Sequence, residues 1–173
     1  EIVAAVKPTV LIGTSGVPGA FTEKAVRKMA ELNEKPAIMP ISNPTKLAEA
    51  KAIDIINWTD GRALVVTGSP SIPVEHNGVT YTIGQANNAL LYPGLGLGII
   101  VAKAKTVSNG MLSAAAFGIA SLQDLSKTGA SILPSVEKLR QASKLVAIAV
   151  VEQAIKEGLN REIGRASCRE RGS

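Results

Sequence analysis

The chain has 173 residues, of which 46% are hydrophobic and 19% charged, and its formal net charge is +5. This length suits one domain with a single core, and the composition is that of a folded globular protein, which excludes a disordered chain. The apolar run at residues 89–102 is shorter than the roughly 18 residues that a membrane-spanning helix needs, and it contains Pro93. Aromatic residues are few and no Lys/Arg cluster occurs, so the features of a nucleic-acid-binding protein are missing. We therefore expect a globular domain with no membrane and no nucleic-acid partner.

The two ends of the sequence carry expectations of their own. The first residue is Glu1 and no targeting signal follows it, so we expect a chain that begins partway through a larger, cytoplasmic protein. Residues 163–173 show no periodicity and contain the single cysteine, Cys168. The letters EIGRASCRER are similar to a common sequencing adapter translated in frame, so we expect residues 163–173 to be a non-native tail. Leaving them out removes three arginines and one glutamate, which lowers the net charge from +5 to +3.

The first half of the chain has the pattern of alternating strands and helices. The apolar runs VLIG, PAIMPIS and ALVV predict strands, and VLIG is of the kind that is buried on both faces of a parallel sheet. After the first strand, Thr22 is a suitable N-cap for a helix whose inner face carries Val26 and Met29. A second helix is predicted from KLAEA to the Asp-Gly pair of WTDG. These elements form βαβ units, whose crossovers should be right-handed.

The second half departs from this alternation. The segment PVEHNGVTYTI alternates around Asn77 and Gly78, which predicts a β-hairpin. Three helices are then predicted, at about residues 89–105, 110–122 and 135–158. Gly94, Gly96 and Gly98 predict a thin helix face that packs closely against the sheet. The sequence as a whole predicts an α/β fold: a partial doubly wound, Rossmann-like parallel sheet with a β-hairpin and a helical C-terminal half.

Candidate ligand-binding residues lie in the loops that follow the predicted strands. Open α/β sheets bind ligands outside the carboxyl ends of their strands, which places GTSG, SNPT and TGSP at that edge. In the first loop, Gly13 lets a flat ligand approach the backbone, and Thr14 and Ser15 offer hydroxyl groups. The alternative is an ordinary strand-to-helix turn. The glycines do not match the GxGxxG pattern that binds a pyrophosphate.

Three asparagines stand at strand ends and helix starts. Asn43 follows a strand in SNPT, and Asn87 and Asn88 precede a predicted helix in QANN. A carboxamide donates and accepts hydrogen bonds without charge, so it can hold a hydroxyl, ketone, carboxylate or nicotinamide amide. The alternative for each asparagine is the capping of a turn or helix. We expect folding to bring the three amides together around one crevice at the ligand edge of the sheet.

The remaining polar residues suggest no catalytic motif. His76 has no Ser, Cys or metal-ligand partner at a recognisable spacing, so we expect a solvated residue in the hairpin turn. Glu49 and Asp54 are the nearest acidic pair, and their spacing indicates neither a metal site nor an acid/base dyad. We expect both carboxylates at the surface.

Four segments in order, GTSGVPGAFTE, PISNPTKLAEA, WTDGRALVVTGSP and IGQANNALLYPGLGLGII, resemble the cofactor-binding domain of the malic enzyme and malolactic enzyme family. On this resemblance, residues 1–160 are part of an NAD(P)-binding domain, closer to the bacterial malolactic enzymes. The resemblance implies a malolactic enzyme or a decarboxylating malate dehydrogenase, with NAD or NADP and with Mn²⁺ or Mg²⁺. Such an enzyme converts L-malate to L-lactate or to pyruvate. The family also implies a homo-oligomer.

The resemblance assigns site residues in two groups. The substrate-binding residues are Asn43, Asn87 and Asn88, and the cofactor-binding residues are Gly13, Thr14, Ser15 and again Asn87. The family's catalytic tyrosine and lysine, its metal ligands and its glycine fingerprint find no match in this sequence, and neither Tyr81 nor Tyr92 stands in the tyrosine motif. No catalytic or metal-ligating residue is therefore assigned: the metal would be held by residues outside this chain, and the chain alone is expected to be inactive.

Two other functions stay open at this point. A non-catalytic dinucleotide-binding module would need the GTSG loop but would not need both Asn43 and Asn88. In a further alternative, the helical second half serves mainly as an assembly surface, and Asn43 then has no part in malate turnover.

Overall fold

The computed structural model describes residues 1–161. The expectation of a non-native tail at residues 163–173 lies outside the described residues. The chain divides into two compact units, the first of residues 1–87 and 120–135 and the second of residues 88–119 and those from 136 onward. The first unit contains the strands, and the second is helical.

The predicted strands and helices occur in the predicted order, and α1 and β6 occur in addition to them. The strands are β1 (Val10–Gly13), β2 (Ala37–Pro40), β3 (Leu64–Thr67), β4 (Val74–His76), β5 (Val79–Tyr81) and β6 (Gly84–Gln85). The helices are α1 (Ile2–Val6), α2 (Glu23–Leu32), α3 (Ala52–Trp58), α4 (Tyr92–Ala102), α5 (Asn109–Ala120) and α6 (Leu139–Lys156). Short 3-10 turns lie at Thr45–Leu47, Asn88–Leu90 and Val136–Lys138.

Four parallel strands form one sheet in the order β1-β2-β3-β6, while β4 and β5 form a separate antiparallel hairpin. Val10 pairs with Ala37 and Ala37 pairs with Leu64, so the first three strands start level with one another. The connections β1-α2-β2 and β2-α3-β3 are βαβ units, and α2 and α3 contact each other. The predicted α/β class, with its partial parallel sheet, hairpin and helical C-terminal half, is confirmed.

Helix α2 shows why these sequence patterns fold as predicted. The Thr22 side chain accepts a hydrogen bond from the Ala25 backbone N–H, a cap that contributes about 1 kcal/mol. Val26 and Met29 are fully buried, and they join a core cluster with residues of β2 and α3. The capping residue thus fixes where the helix starts, and the apolar stripe fixes which face turns inward.

Two element predictions in the first unit are wrong in detail. The predicted second helix becomes α-helical only at Ala52, because a 3-10 turn and an extended stretch precede it and Lys51 provides no side-chain cap. Strand β1 is not buried on both faces: Val10 is 44% and Ile12 58% exposed. Val10 and Ile12 lie two residues apart and therefore on the same face, which is exposed, whereas Leu11 is half-buried and Gly13 buried on the other face. Strand β6, two residues long, was not predicted at all.

The glycine face of α4 packs against α6, where the prediction placed the sheet. A Cβ on Gly94 would lie 2.6 Å from the Val146 Cβ, and one on Gly98 would lie 2.7 Å from the Val150 Cβ. Both valines are fully buried, so only glycine allows this close helix pair. Among the helices of residues 1–161, none combines the length and the apolar character needed to cross a membrane.

Candidate ligand-binding site

Parallel pairing brings several loops to one edge of the sheet, because the carboxyl ends of the strands all lie there. The pairing continues past the strand ends: the Ile41 N–H donates to the Gly13 carbonyl at 3.0 Å, and the Ala86 N–H donates to the Thr67 carbonyl at 2.9 Å. The loops after β1, β2, β3 and β6 therefore form a continuous edge within the first unit.

The Glu49 side chain connects the loop after β1 to the loop after β2 through hydrogen bonds. Its Oε1 accepts hydrogen bonds from the Ser15 N–H at 2.7 Å, the Ser15 hydroxyl at 2.9 Å, the Gly16 N–H at 3.2 Å and the Ser42 hydroxyl at 2.6 Å. The side chain is fully buried, so the expectation of a surface carboxylate is wrong. The reason is local: residues 48–51 are not helical, and the Glu49 carbonyl is held by the Phe21 N–H at the start of α2.

The carboxylate of Glu49 is charged despite its burial. Burial raises its pKa, but hydrogen bonds from Ser42, from its own backbone N–H and from Ser15 outweigh that effect and lower the pKa to about 2. Oε2 has no hydrogen-bond partner among the described residues. That oxygen packs over Gly13, where a Cβ would lie 2.7 Å from Oε2 and 2.6 Å from Cδ of Glu49. Glu49 and a side chain at position 13 therefore exclude each other.

The three cofactor candidates, Gly13, Thr14 and Ser15, lie at the carboxyl end of β1. Gly13 is buried, while Thr14 and Ser15 are exposed. The Ser15 hydroxyl donates to Glu49 and accepts from the Val17 N–H at 3.2 Å. Its one hydrogen is thus used inside the protein, so any hydroxyl that the loop donates to a ligand comes from Thr14.

Asn43 lies on the β2 loop with its side chain exposed. Its Oδ1 accepts a hydrogen bond from the Ser69 hydroxyl at 2.7 Å, whereas its Nδ2 lies 3.5 Å from the Ile41 carbonyl, a weak contact. Gly68 allows this approach: a Cβ there would overlap the Ile41 carbonyl and lie 2.9 Å from the Asn43 Nδ2. The structure thus brings the loops after β2 and β3 together at the Asn43 amide.

The two adjacent asparagines fall on either side of the division between the units. Asn87 is half-buried and comes two residues after β6, which places it on the same sheet edge as the β1 and β2 loops. Asn88 is exposed and begins the 3-10 turn of the second unit, where its carbonyl accepts from the Leu91 N–H at 3.2 Å. The meeting of all three amides in one crevice stays a prediction.

A cavity of about 340 Å³ opens beside the β2 and β3 loops, next to the edge described above. Its walls include Ser42, Lys51 and Ser69, but the lining is mainly apolar, and residues 70–74 form part of it. Neither Asn43 nor the Gly13–Ser15 loop lines it. This cavity is therefore a neighbour of the candidate site and does not define it.

His76 is not the solvated turn residue that the sequence predicts. Its side chain is only 17% exposed, with Nδ1 at 3.0 Å from the Asn57 Oδ1 and Nε2 at 3.0 Å from the Asp60 Oδ1. The hydrogen bond with His76 lowers the pKa of Asp60. Asp60 precedes β3, so this cluster ties the hairpin to the amino-terminal end of the sheet, away from the ligand edge.

The sequence places the SNPT and TGSP loops at this edge but indicates no role for four residues that build it: Glu49, Ser42, Gly68 and Ser69. A signal was present for three of them, because Ser42, Gly68 and Ser69 directly follow apolar strands, where ligand sites of α/β sheets are found. Glu49 carried no such signal. Helical periodicity runs across its segment, and a glutamate on a helix is usually solvated.

The donors at this edge are hydroxyls, amides and backbone groups. The Glu49 carboxylate uses Oε1 for four internal hydrogen bonds, and its Oε2 is buried against Gly13. Within residues 1–161, no group of three or more His, Cys, Asp or Glu side chains is arranged to hold a metal ion. Mg²⁺ and Mn²⁺ are bound chiefly by oxygen ligands that include free carboxylates. The described residues therefore do not fit a divalent-metal site.

The fold is that of an α/β domain with a parallel sheet, a class in which ligand sites ordinarily lie at the carboxyl ends of the strands. The family model described as "Malic enzyme, NAD binding domain" matches residues 1–155, and the chain belongs to this family.

Relatives with assigned functions agree with the family. The chain is 57% identical over 162 residues to NAD-dependent malic enzyme 3 of Bacillus subtilis (strain 168), a match that covers 94% of this chain and 29% of that protein. It is 54% identical over 161 residues to the malolactic enzyme of Lactiplantibacillus plantarum, covering 93% of this chain and 29% of that enzyme. The resemblance to malic and malolactic enzymes is thereby confirmed, and the chain spans less than a third of the length of these relatives.

A solved structure agrees in fold. The crystal structure of an NAD-dependent malic enzyme from Thermotoga maritima superposes with a TM-score of 0.59 at 22% sequence identity. The superposition covers 83% of this chain and 32% of that one. At this level of identity, the likeness speaks for the fold alone.

Proposed function

We propose that residues 1–160 are the part of an enzyme that binds NAD and presents carboxamides to L-malate, and that the complete enzyme decarboxylates malate. The observation that carries the proposal is the exposed Asn43 amide beside the Glu49-anchored β1 loop. The exposed edge strand β1 supports the assignment to a larger sheet, because an apolar strand edge of this kind ordinarily has a neighbour. NAD-dependent malic and malolactic enzymes among the relatives support the substrate.

In this proposal the β1 loop borders the dinucleotide. Gly13 is buried against the Glu49 carboxylate, so it takes part through the shape of the loop, and Thr14 presents an exposed side chain with a hydroxyl. Ser15 takes part through its place in the loop, since its hydroxyl hydrogen is bonded to Glu49. When bound, NAD accepts the hydride that leaves C2 of malate, and NADP is the alternative cofactor.

Asn43 is proposed to hold malate. Ser69 donates to its Oδ1 and fixes the plane of the amide, which leaves the Nδ2 hydrogens to donate to a carboxylate or ketone oxygen. Asn87 and Asn88 are proposed to supply further amides, and Asn87 is placed beside malate or the nicotinamide. Carboxamides suit this task because they orient a dicarboxylate without changing the charge of the site.

The divalent metal belongs, in this proposal, to residues outside this chain. The described residues do not fit such an ion, and no step is assigned to it here. The homo-oligomeric state rests on the family resemblance alone, and the cytoplasmic location stays a prediction from the sequence.

The test is turnover by the full-length enzyme that contains this chain. Incubation with L-malate, NAD and Mn²⁺ should yield either pyruvate with stoichiometric NADH or L-lactate without NADH, and both products support the proposal. Asn43→Ala should abolish most of either activity. An enzyme that binds NAD but turns over no malate, or whose turnover does not depend on Asn43, would contradict it and favour a dinucleotide-binding module.

A further inference from the structure

One buried charged group plays no part in the proposed chemistry: the Glu49 carboxylate beneath the β1 loop. It is fully buried, and none of the ion pairs formed within residues 1–161 includes it. A buried carboxylate without a cation is costly unless several donors solvate it. Here the donors come from two loops at once, which is unusual for a residue that only fills space.

We infer that Glu49 is a positioning residue that fixes the cofactor loop after β1 to the substrate loop after β2. The inference rests on the proposed function, because it assumes that these two loops meet NAD and malate. Glu49 itself contacts neither ligand in this account. It acts through Ser15 and Gly16 on one side and through Ser42, the neighbour of Asn43, on the other.

The hydrogen-bond geometry indicates that Glu49 fixes the conformation of the β1 loop. The N–H groups of Ser15 and Gly16 both point at Oε1, and Gly16 also donates to the Ser42 hydroxyl at 2.9 Å. Gly16 has a φ of +66°, so the turn is held in a backbone conformation that few other residues adopt. The bonds to an ionised carboxylate are roughly twice as strong as neutral ones. The loop therefore keeps one conformation before any ligand arrives.

The same hydrogen bonds determine which groups of the β1 loop can bind a ligand. Two of its backbone N–H groups face inward to Glu49 and are not available to a phosphate. The outer surface of the loop consists of the Thr14 and Ser15 side chains, because Gly13 is buried. Loss of the carboxylate would release both N–H groups and let the turn rearrange, and the ligand edge would lose its shape without losing any residue that touches a ligand.

The experiment uses the full-length enzyme and the variant Glu49→Gln, which keeps the size of the side chain and removes its charge. The dissociation constant of NAD is measured by calorimetry, and the KM values for NAD and malate are measured by turnover. We expect NAD binding to weaken about tenfold, and malate KM to rise by a smaller factor, because charge-assisted hydrogen bonds become neutral ones. The loss should be constant between pH 6 and 9, since Glu49, with a pKa of about 2, stays ionised throughout.

Glu23→Gln is the matched control, because Glu23 is an exposed residue of α2 that pairs with Arg27. It makes the same chemical change and should leave NAD binding within twofold of the wild type. The inference is overturned if Glu49→Gln lowers only the melting temperature and leaves both KM values unchanged. An equal loss in Glu23→Gln would overturn it too, because the effect would then come from net charge.

A second variant covers the case in which Glu49→Gln does not fold. Ser42→Ala keeps the buried charge and cuts one link to the β2 loop, so NAD binding should weaken about threefold although Ser42 belongs to the other loop. Unchanged NAD binding in that variant overturns the inference. If the wild-type enzyme binds NAD but turns over no malate, the proposed function fails, while the calorimetric comparison still decides the role of Glu49.

Discussion

The loops after β1 and β2 are built in opposite ways. The β1 loop is held from inside, with Ser15 and Gly16 bonded to a buried carboxylate. The β2 loop leaves the Asn43 amide exposed, with one short hydrogen bond, from Ser69. The backbone N–H groups of Ser15 and Gly16 in the β1 loop are used in internal hydrogen bonds, whereas the Asn43 Nδ2 in the β2 loop can still donate to a ligand.

The contrast shows how one sheet edge divides its tasks. A loop that must fit a large flat ligand gains from a fixed conformation, because binding then costs less ordering. A side chain that must hold a small dicarboxylate needs free hydrogen-bonding capacity. Variants of the full-length enzyme can separate the fixed conformation of the β1 loop from the hydrogen-bonding capacity of Asn43.

The largest effect is expected from Gly13→Ala. The new Cβ would lie 2.6 Å from the Glu49 Cδ, so the loop or the carboxylate has to move, at a cost of about 3 kcal/mol in the free energy of unfolding. NAD binding should be lost as well. Gly96→Ala is the control, since a Cβ there has nothing within 4 Å, and it should stabilise α4 by up to about 1 kcal/mol. Equal stability of the two variants by denaturant unfolding would contradict the packing of Glu49 over Gly13.

The second effect is a dependence of stability on pH. The folded-state pKa of Glu49 is lowered from 4.5 to about 2, so its contribution is fully present above pH 4.5 and is lost as the pH falls toward 2. Above that window the wild type should exceed Glu49→Gln by on the order of 3 kcal/mol in free energy of unfolding. Denaturant unfolding of both proteins at several pH values between 2 and 6 measures the difference. A difference that does not shrink in acid would mean that the charge of Glu49 does not stabilise the fold.

The third effect concerns activity alone. Asn43→Asp keeps the shape of the side chain but removes its donor and places a negative charge beside a dicarboxylate, so kcat/KM for malate should fall about thirtyfold or more. The melting temperature should hardly change, because Asn43 is exposed. Asn160→Asp makes the same change as a control, because within residues 1–161 the Asn160 amide has one weak contact, with the Arg161 carbonyl at 3.5 Å. Wild-type kinetics in Asn43→Asp would remove Asn43 from the site.

The smallest effect is expected from Ser69→Ala. This change removes the hydroxyl that fixes the Asn43 amide, and a neutral hydrogen bond of about 1 kcal/mol corresponds to a rise in malate KM of roughly fivefold or less. Ser71→Ala, in the same loop, removes a hydroxyl that bonds only the neighbouring Ile72 carbonyl and should have no effect. Steady-state kinetics that show no difference between the two serine variants would mean that the amide needs no support from Ser69.

Much of the first unit followed from local sequence. Strands β1, β2 and β3, the capped helix α2 and the Asn77–Gly78 hairpin each carry a signal within a few residues, either an apolar run or a turn residue of fixed chemistry. Strand β6 carries none, since Gly84 and Gln85 become a strand only by pairing with β3. Such an element depends on a partner far away in the chain, which a local pattern does not report.

The candidate site was predictable in part for the same reason. The predicted strands place Gly13 and Asn43 at strand ends on one edge, whereas Asn87 follows β6, a strand that no local pattern predicts. The burial of Glu49 depends on an irregular stretch after a 3-10 turn, where helical periodicity has no meaning. The partner of the α4 glycine face was mispredicted because a smooth face fits a helix as well as a sheet, and nothing local distinguishes the two.

A crystal structure of the full-length enzyme with NAD and L-malate bound tests the proposed site most directly. The account predicts that the Asn43 Nδ2 donates to a malate oxygen and that the Gly13–Ser15 loop contacts the dinucleotide in its present conformation, with Glu49 still bonded beneath it. A complex in which malate lies away from Asn43, or in which the β1 loop contacts neither ligand, would contradict it.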